Sequence, residues 1–172
     1  MKSKDIELEI VQKQLSDYFL HLAKRVEKLT LTLSAEQLWV NPLPFGNSVG
    51  NLVVHLTGSL SHFIGAGIAQ TGYARDRNAE FSVSLTTRPA KEILSEFHAT
   101  VHMVVKILCT QDGATLSAPV ATRSAPVQNR FGMFLVCAGH MSNHIGQMVY
   151  LLHAHGHEFD DRGLCHQRQP HA

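Results

Sequence analysis

A long apolar stripe at the start of the chain constrains its fold more than any other feature. Between residues 8 and 33, apolar side chains recur at steps of three or four, the spacing of neighbours on one face of an α-helix. Because such a stripe must be covered by other elements, the segment predicts a helix of about nine turns inside an all-α domain. The stripe consists of Leu8, Val11, Leu15, Tyr18, Leu22, Val26, Leu29 and Leu33.

Three further helices are predicted after the break at Asn41-Pro42-Leu43-Pro44. Each carries its own apolar stripe, and Asn47 or Ser48 is suited to cap the first of them. Four long amphipathic helices predict a four-helix bundle, a fold that builds its sites from core side chains on facing helices. The predicted ranges are Asn47 or Ser48 to about Gly72, Thr87 to about Asp112, and Asn129 to Ala154 with Gly156 as the stop.

The connecting segments are predicted to be irregular. Residues 75–81 read as a charged loop, and residues 114–128, rich in Ser, Thr, Ala and Pro, read as a long loop with short extended pieces. A chain of 172 residues suits one domain. We therefore expect a single domain over residues 1–158, followed by a polar tail over residues 159–172.

Charge and cysteine content indicate the class of protein. Fifteen basic and 14 acidic residues give a formal net charge of +1, which argues against a nucleic-acid binder or a polybasic membrane surface. We expect no signal peptide and no membrane span, since the apolar stretch Phe131–Gly139 is too short. Cys109, Cys137 and Cys165 form no Cys-x-x-Cys pair, which favours the cytoplasm, with the first two buried.

The chain holds 12 histidines, and two pairs inside the predicted helices, His98/His102 and His140/His144, have the His-x-x-x-His spacing that allows one ion to be clamped on a helix. His144 falls within the apolar stripe of the fourth helix and His140 at its edge, so burial favours a shared cation there. His98 lies at a similar edge of the third helix, but His102 points to its polar side. We therefore interpret that second pair as a solvated face.

A metal site of this kind needs at least a third protein ligand. The second helix offers two candidates, His55 and His62, on a stripe of polar and small residues that also holds Asn51 and Ser59. Helical phase does not choose between the two histidines. It also leaves open whether the stripe faces water or forms the floor of a polar cavity.

Polar side chains near the histidine pair are candidates for supporting contacts. Asn143 and Gln147 each follow a histidine by three residues, and ligating histidines usually donate their second N–H to such a group. The spacing is equally compatible with plain surface side chains. The remaining histidines are interpreted as surface or tail residues: His21, His153, His155, His157, His166 and His171.

Three segments resemble the DinB-like family of bacterial metalloproteins, which includes relatives of the bacillithiol and mycothiol transferases. The first is Trp39-x-x-Pro42 followed by residues 47–56, NSVGNLVVHL. The second is the segment His140–Tyr150, similar to a closing His-x-x-x-His-x-Gly-Gln helix. The third is Arg75–Phe81, similar to an arginine-rich loop of one subgroup. Together they cover the chain from about Trp39 to Leu152.

The resemblance implies a four-helix bundle with three metal-ligating histidines, His55, His140 and His144. It thus selects His55 over His62, which stays a cavity residue. It also implies zinc or nickel as the divalent metal, a homodimer, and low-molecular-weight thiols as cosubstrates. Many members carry Arg after the last histidine, where this chain has Ile145, so a substrate contact by that Arg is not carried over.

Three imidazoles leave coordination positions open, so a bound ion could acidify a water or thiol or polarise a carbonyl. The sequence therefore predicts a metal-dependent enzyme acting on a small molecule, by thiol S-transfer or by hydrolysis. No carboxylate falls on the site stripes, which favours thiol chemistry, although a base from the loops around Asp76, Glu80 or Asp112 stays open. The alternative is a non-catalytic helical bundle that binds metal or a partner.

Overall fold

The structure is a computed structural model that describes residues 3–82, 88–120 and 127–158. Eight α-helices follow one another within these ranges, and a π-helical segment, Ser61–Ala66, joins α3 to α4. The all-α prediction is confirmed. The helices are α1 Ser3–Thr32, α2 Ala35–Trp39, α3 Val49–Leu60, α4 Gly67–Ala69, α5 Arg77–Ser82, α6 Ala90–Cys109, α7 Gly113–Ser117 and α8 Arg130–Ala154.

The four longest helices form the framework. Helix α1 packs against α6 and α8, and α3 packs against the same two helices. Their contacts enclose an apolar core whose largest fully buried side chains include Phe19, Phe97, Phe134 and Met141. Since α3 and α8 are in contact, polar groups on their facing sides can meet inside the protein.

The apolar stripe of α1 is largely buried, with two differences from the prediction. Leu15, Leu22 and Leu29 are buried, whereas Val11 and Tyr18 are exposed by 36% and 38%. Phe19, which lies one position after Tyr18, is fully buried instead. The steps from Leu15 through Phe19 to Leu22 follow the helical repeat, and Tyr18 falls at the edge of the buried face.

Ser48 caps α3 and settles the alternative between Asn47 and Ser48. Its Oγ accepts a hydrogen bond from the Asn51 backbone N–H, and the Asn51 side chain accepts one from the Ser48 backbone N–H. This is a capping box, which satisfies two otherwise unpaired donors at the helix start. The helical run ends at Ala69, before the predicted Gly72, because Gln70 adopts a left-handed backbone with φ 54°.

The connecting segments hold short helices that the sequence analysis assigned to loops. Helix α5 occupies the predicted charged loop, and α7 occupies the start of the predicted 114–128 loop. Asp112 is the N-cap of α7, where the sequence analysis used it as the end of the third helix. Within the described residues no strand is present, and extended pairing is limited to an isolated bridge between Pro119 and Asn129.

The helical stretch Val49–Ala69, which spans α3 to α4, is more apolar than the sequence analysis recognised. Among the described residues, Val49–Ala69 is the one helical stretch long and apolar enough to cross a membrane by composition, which Phe131–Gly139 is not. More than half of its most apolar 18-residue window, 56%, is buried inside the protein. This burial is typical of the core helix of a soluble domain.

Cysteines and late histidines also depart from expectation. Cys137 is buried as predicted, but Cys109 is exposed at the end of α6, and Cys165 lies outside the described residues. His155 and His157 are half-buried, and their Nε2 atoms contact the Val40 carbonyl and the Gln37 side chain. These two histidines thus fasten the end of α8 to the α2 region rather than belonging to a solvated tail. His166 and His171, and the tail predicted over 159–172, lie outside the described residues.

Candidate metal centre

Three histidines from two facing helices converge at one point. His55 lies on α3 and is buried, while His140 and His144 lie one turn apart on α8 and are half-buried. One ring nitrogen from each falls within 4.8 Å of the others. The ring centroids of His140 and His144 are 4.4 Å apart, and that of His55 is 5.2 and 4.9 Å from them.

The nitrogen atoms at the centre of this cluster lack ordinary partners. The Nε2 atoms of His55 and His140 are 3.1 Å apart. The Nε2 atom of His144 is buried and has no hydrogen-bond partner among the described residues. A buried, unpaired ring nitrogen is costly unless something binds it. A divalent cation is suited to that position, because imidazole nitrogen is a common metal ligand.

Burial keeps the three rings neutral. It lowers the pKa of His144 and of His55, the latter against the opposing effect of its hydrogen bond to Glu80. The pKa of His140 falls to about 4, first through burial and then through the neighbouring His144 and His55. Neutral imidazoles are the form in which histidine binds metal, so near neutral pH no proton has to leave these rings first.

A buried carboxylate fixes the orientation of His55. Oε2 of Glu80, on α5, lies 2.8 Å from Nδ1 of His55. Burial raises the pKa of this carboxyl, but hydrogen bonds from Arg75 and His55 outweigh burial and lower it. Because an ionised carboxylate only accepts, we assign the His55 proton to Nδ1. Nε2 then presents its lone pair to the cluster.

Arg75 holds this carboxylate with two hydrogen bonds. Its Nε donates to Oε1 of Glu80 at 2.6 Å, and its Nη2 donates to Oε2 at 2.8 Å. The same Nη2 donates to the hydroxyl of Ser59 at 2.8 Å, which ties the arginine to α3. This fork-shaped pairing compensates the buried charge of Glu80 and sets the direction of its oxygens.

Helix α3 is shaped to receive Glu80. At Gly58 an added Cβ would lie 2.1 Å from Oε1 of Glu80, so only glycine allows this approach. Asn51, one turn before His55, donates from its side chain to the Glu80 backbone carbonyl at 3.3 Å. Phe81, which follows Glu80 on α5, packs its ring on the ring of His55, with 5.0 Å between the centroids. Helix α5 is therefore fitted against the side of His55 that faces away from the cluster.

Gln147 plays the corresponding part for His144. Its Oε1 lies 2.8 Å from Nδ1 of His144, which places that ring proton on Nδ1 as well. The side chain is exposed, so this contact lies at the outer edge of the site.

The remaining predicted neighbours divide between the site and its surroundings. Asn51 and Ser59 are buried and act through Glu80 and Arg75, as described above. Asn143 is exposed and lines a surface cavity beside Gln147. His62 is exposed and stacks edge-on against Phe63, outside the three-histidine cluster. The structure thus brings together His55, His140 and His144 and leaves His62 apart.

The second histidine pair forms no comparable site. His98 lies 3.5 Å from a Glu27 carboxylate oxygen, and His102 is exposed on α6. Within the described residues, neither belongs to a group of three or more potential ligands. The solvated interpretation of His102 therefore agrees with its exposure.

The joint role of Arg75 and Glu80 was not predicted from the sequence. Glu80 was considered there only as a possible base from a loop, and Arg75 was given no role. They are five positions apart, with Arg75 before α5 and Glu80 on it, so no helical spacing rule connects them with His55. The available signal was Gly58 beside Ser59, two small residues that indicated close approach by another group.

Comparison with known proteins agrees with the fold. A family described as "Protein of unknown function (DUF1572)" matches residues 8–161. The chain belongs to this family. DUF1572 proteins have a DinB-like fold and no assigned function, so the DinB-like part of the resemblance is confirmed.

The same fold is found among solved structures, one of which is described as a conserved protein of a locus from Enterococcus faecalis, with a TM-score of 0.69 and 17% sequence identity. The alignment covers 84% of the DUF1572 chain and 96% of that protein. Curated proteins gave no match.

Proposed function

We propose that this DUF1572 protein is a metal-dependent enzyme in which His55, His140 and His144 hold one divalent ion, zinc or nickel. The observation that carries the proposal is the convergence of three neutral rings, with ligand nitrogens within 4.8 Å of one another. The buried Nε2 of His144, which has no hydrogen-bond partner among the described residues, is a ring nitrogen that a cation would satisfy.

The arrangement favours an enzyme over a structural metal site. Structural zinc sites use four protein ligands, whereas catalytic ones use three and leave a position open. Among the described residues, no fourth His, Cys, Asp or Glu joins the three histidines. Glu80 is close, but its carboxylate faces Nδ1 of His55, on the opposite side of the ring from Nε2.

A bound divalent ion would supply Lewis acidity toward a water or thiol. The protein's own part is to fix the ligands: Glu80 orients His55, and Gln147 orients His144. Such partners fix the ring tautomer and make the ligand more basic.

The three loop carboxylates considered as bases are all engaged elsewhere, which favours thiol S-transfer over hydrolysis with a protein base. Both carboxylate oxygens of Glu80 already accept hydrogen bonds, from Arg75 and His55. Asp76 accepts from the Ala79 backbone N–H, and Asp112 caps α7. A thiol substrate whose pKa falls near the ion needs no such base. We therefore favour a low-molecular-weight thiol as cosubstrate and a small-molecule electrophile as acceptor. The family resemblance adds a homodimer as the proposed assembly.

Metal analysis of tag-free protein tests the site. We expect about one zinc or nickel per chain, as for a single three-histidine centre. His55→Ala, His140→Ala and His144→Ala should each lose most of this metal. His62→Ala is the matched control, since His62 lies on the continuation of the same helical run but is exposed. Full metal retention in all three variants would contradict the site.

An activity survey tests the reaction. Zinc-loaded and metal-depleted proteins are compared with cysteine or N-acetylcysteine as the thiol and 1-chloro-2,4-dinitrobenzene as the electrophile, and with 4-nitrophenyl acetate for hydrolysis. We expect thiol conjugation that depends on metal and on His144. Metal-dependent hydrolysis without conjugation would reverse the preference between the two reactions.

A further inference from the structure

A cavity lies beside the histidine cluster, between α8 and the segment that leads into α3. Its volume is about 540 Å³, within the range of roughly 300–1,000 Å³ typical of small-molecule sites. It is lined by Leu43 and Phe45 from the segment before α3, by Leu52 of α3 and by Tyr150 of α8. We refer to it as the α8 cavity.

The lining of the α8 cavity selects for an uncharged ligand. None of the ten described residues that line it carries a charge. The walls are aromatic and aliphatic, and Asn47, Asn143 and Gln147 add amide groups that donate and accept hydrogen bonds. A carboxylate, phosphate or ammonium group would lose its hydration here without gaining a charged partner. An aromatic or aliphatic group with a neutral polar substituent gives up far less hydration free energy on entering the cavity.

Two residues connect the cavity with the candidate metal centre. Gln147 lines the cavity and accepts the hydrogen bond from Nδ1 of His144. Leu52 lines it as well and lies three residues before His55 on α3. A molecule in the cavity would therefore contact side chains adjacent to two of the three histidines.

We propose that the α8 cavity binds the uncharged, aromatic or aliphatic portion of the substrate of the histidine centre. Tyr150 and Phe45 are 67% and 71% exposed, so both rings are available to pack on such a group. The amides of Asn143 and Gln147 would bind its neutral polar substituent. The role as substrate site rests on the proposed function; the binding of a neutral aromatic molecule does not.

Three probes of equal ring size test the selectivity. Benzamide, benzoate and benzylamine are titrated into ¹⁵N-labelled full-length protein, and backbone amide shifts are followed. We expect benzamide to shift signals from Gly46, Gly146 and Tyr150, and to bind at least tenfold more tightly than either charged probe. Equal binding of all three, or shifts located elsewhere, would overturn the proposal.

Two glycines of α8 provide a matched pair of variants. Gly146 lines the cavity and Gly139 does not, yet both are exposed and a Cβ at either position meets no atom within 4 Å. Gly146→Leu should fill part of the cavity and weaken benzamide binding at least tenfold, whereas Gly139→Leu should leave it unchanged. Both variants should fold, because leucine is a better helix former than glycine. Equal benzamide binding by both variants would contradict the assignment.

Cobalt distinguishes a failed cavity from a failed metal centre. In Co²⁺-loaded protein, the paramagnetic ion should shorten the relaxation times of bound benzamide protons relative to Zn²⁺-loaded protein.

Benzamide binding without this effect, in protein shown to hold Co²⁺, would overturn the substrate role. If the protein takes up neither Co²⁺ nor Zn²⁺ and still binds benzamide, the proposed function is refuted and the selective cavity is retained. If benzamide fails to bind and Gly146→Leu alters the molecular mass in solution, the cavity is a contact between copies of the chain and the proposal is wrong.

Discussion

At the scale of single residues, the candidate centre depends on the side chains that hold the ligands. His55 is fixed by Glu80, which is in turn held by two hydrogen bonds from Arg75. His144 is fixed by Gln147. Oriented rings lose less freedom when they bind an ion, so these partners should influence metal affinity although they do not bind the metal.

Glu80→Gln should weaken zinc binding by about 10- to 100-fold, the usual effect of losing such a partner. The amide removes the charge that holds the proton on Nδ1 of His55 and leaves Arg75 without its counterion. Competition with a chromophoric chelator measures the affinity. Glu92→Gln is the control, because Glu92 is an exposed carboxylate that also pairs with an arginine, Arg88. Unchanged affinity in Glu80→Gln would show that the contact has no influence on the metal.

Acid should destabilise the metal-free protein within a defined range of pH. The pKa of His140 is about 4 in the folded protein, against an ordinary value of 6.5. The unfolded chain therefore binds more protons between these values, and the free energy of unfolding falls as the pH is lowered from 6.5 to 4. Thermal unfolding in the presence of EDTA measures this slope. His140→Asn should make this slope shallower, with the remainder due to His55 and His144, whose pKa values are also lowered. His102→Asn, at an exposed position on α6, should keep the full slope. Equal slopes in all three proteins would contradict the assignment.

At the scale of elements, the close approach of α5 to α3 builds the site. α5 is only six residues long, too short to be stable alone, so it depends on the contacts it makes. Asn51 binds its backbone, Phe81 packs on His55, and Glu80 occupies the space beside Gly58. The capping box at Ser48 contributes as well, because it fixes the Asn51 side chain at the start of α3.

Gly58→Ala should displace Glu80 and thereby weaken both folding and metal binding. The new Cβ would lie 2.1 Å from Oε1 of Glu80, and relieving such overpacking typically costs about 1–3 kcal/mol. Zinc affinity should fall about tenfold or more. Gly67→Ala is the control, since its nearest atom would be at an ordinary 3.5 Å. The effects of Gly58→Ala and Glu80→Gln on affinity should not add, because both act on one contact; additive effects would contradict this.

At the scale of the whole molecule, the candidate centre joins helices that are distant in sequence. His55 and His140 are separated by 85 positions, yet their Nε2 atoms are 3.1 Å apart. An ion held between them would link α3 to α8 only in the folded state. Binding energy would then add directly to the free energy of unfolding.

Zinc should therefore raise the thermal stability of the metal-depleted protein. Free metal at about 100 times its Kd adds about 2.7 kcal/mol to the free energy of unfolding, which is measured by calorimetry and reversed with EDTA. His144→Ala should lose most of this gain, and His62→Ala should retain it. An equal gain in His144→Ala would mean that the stabilising metal binds elsewhere.

The sequence by itself determined the all-α class, the start of α3 and the end of α8, because helical periodicity, capping and stop signals are local. It also pointed to the two histidines on α8, since residues four apart on a helix are neighbours whatever the fold. The choice of His55 over His62 came from the family resemblance, and the geometry agrees: His55 faces α8 and His62 faces solvent.

Only the tertiary structure decided how those histidines are supported. Arg75 precedes the short helix α5 and Glu80 lies on it, and their contacts with Ser59 and His55 depend on how this part of the chain returns to α3. The α8 cavity likewise joins residues from three parts of the chain. Local patterns determine helices because their hydrogen bonds and faces are local. Buried charge pairs and cavities depend on distances between elements, which no spacing in the sequence records.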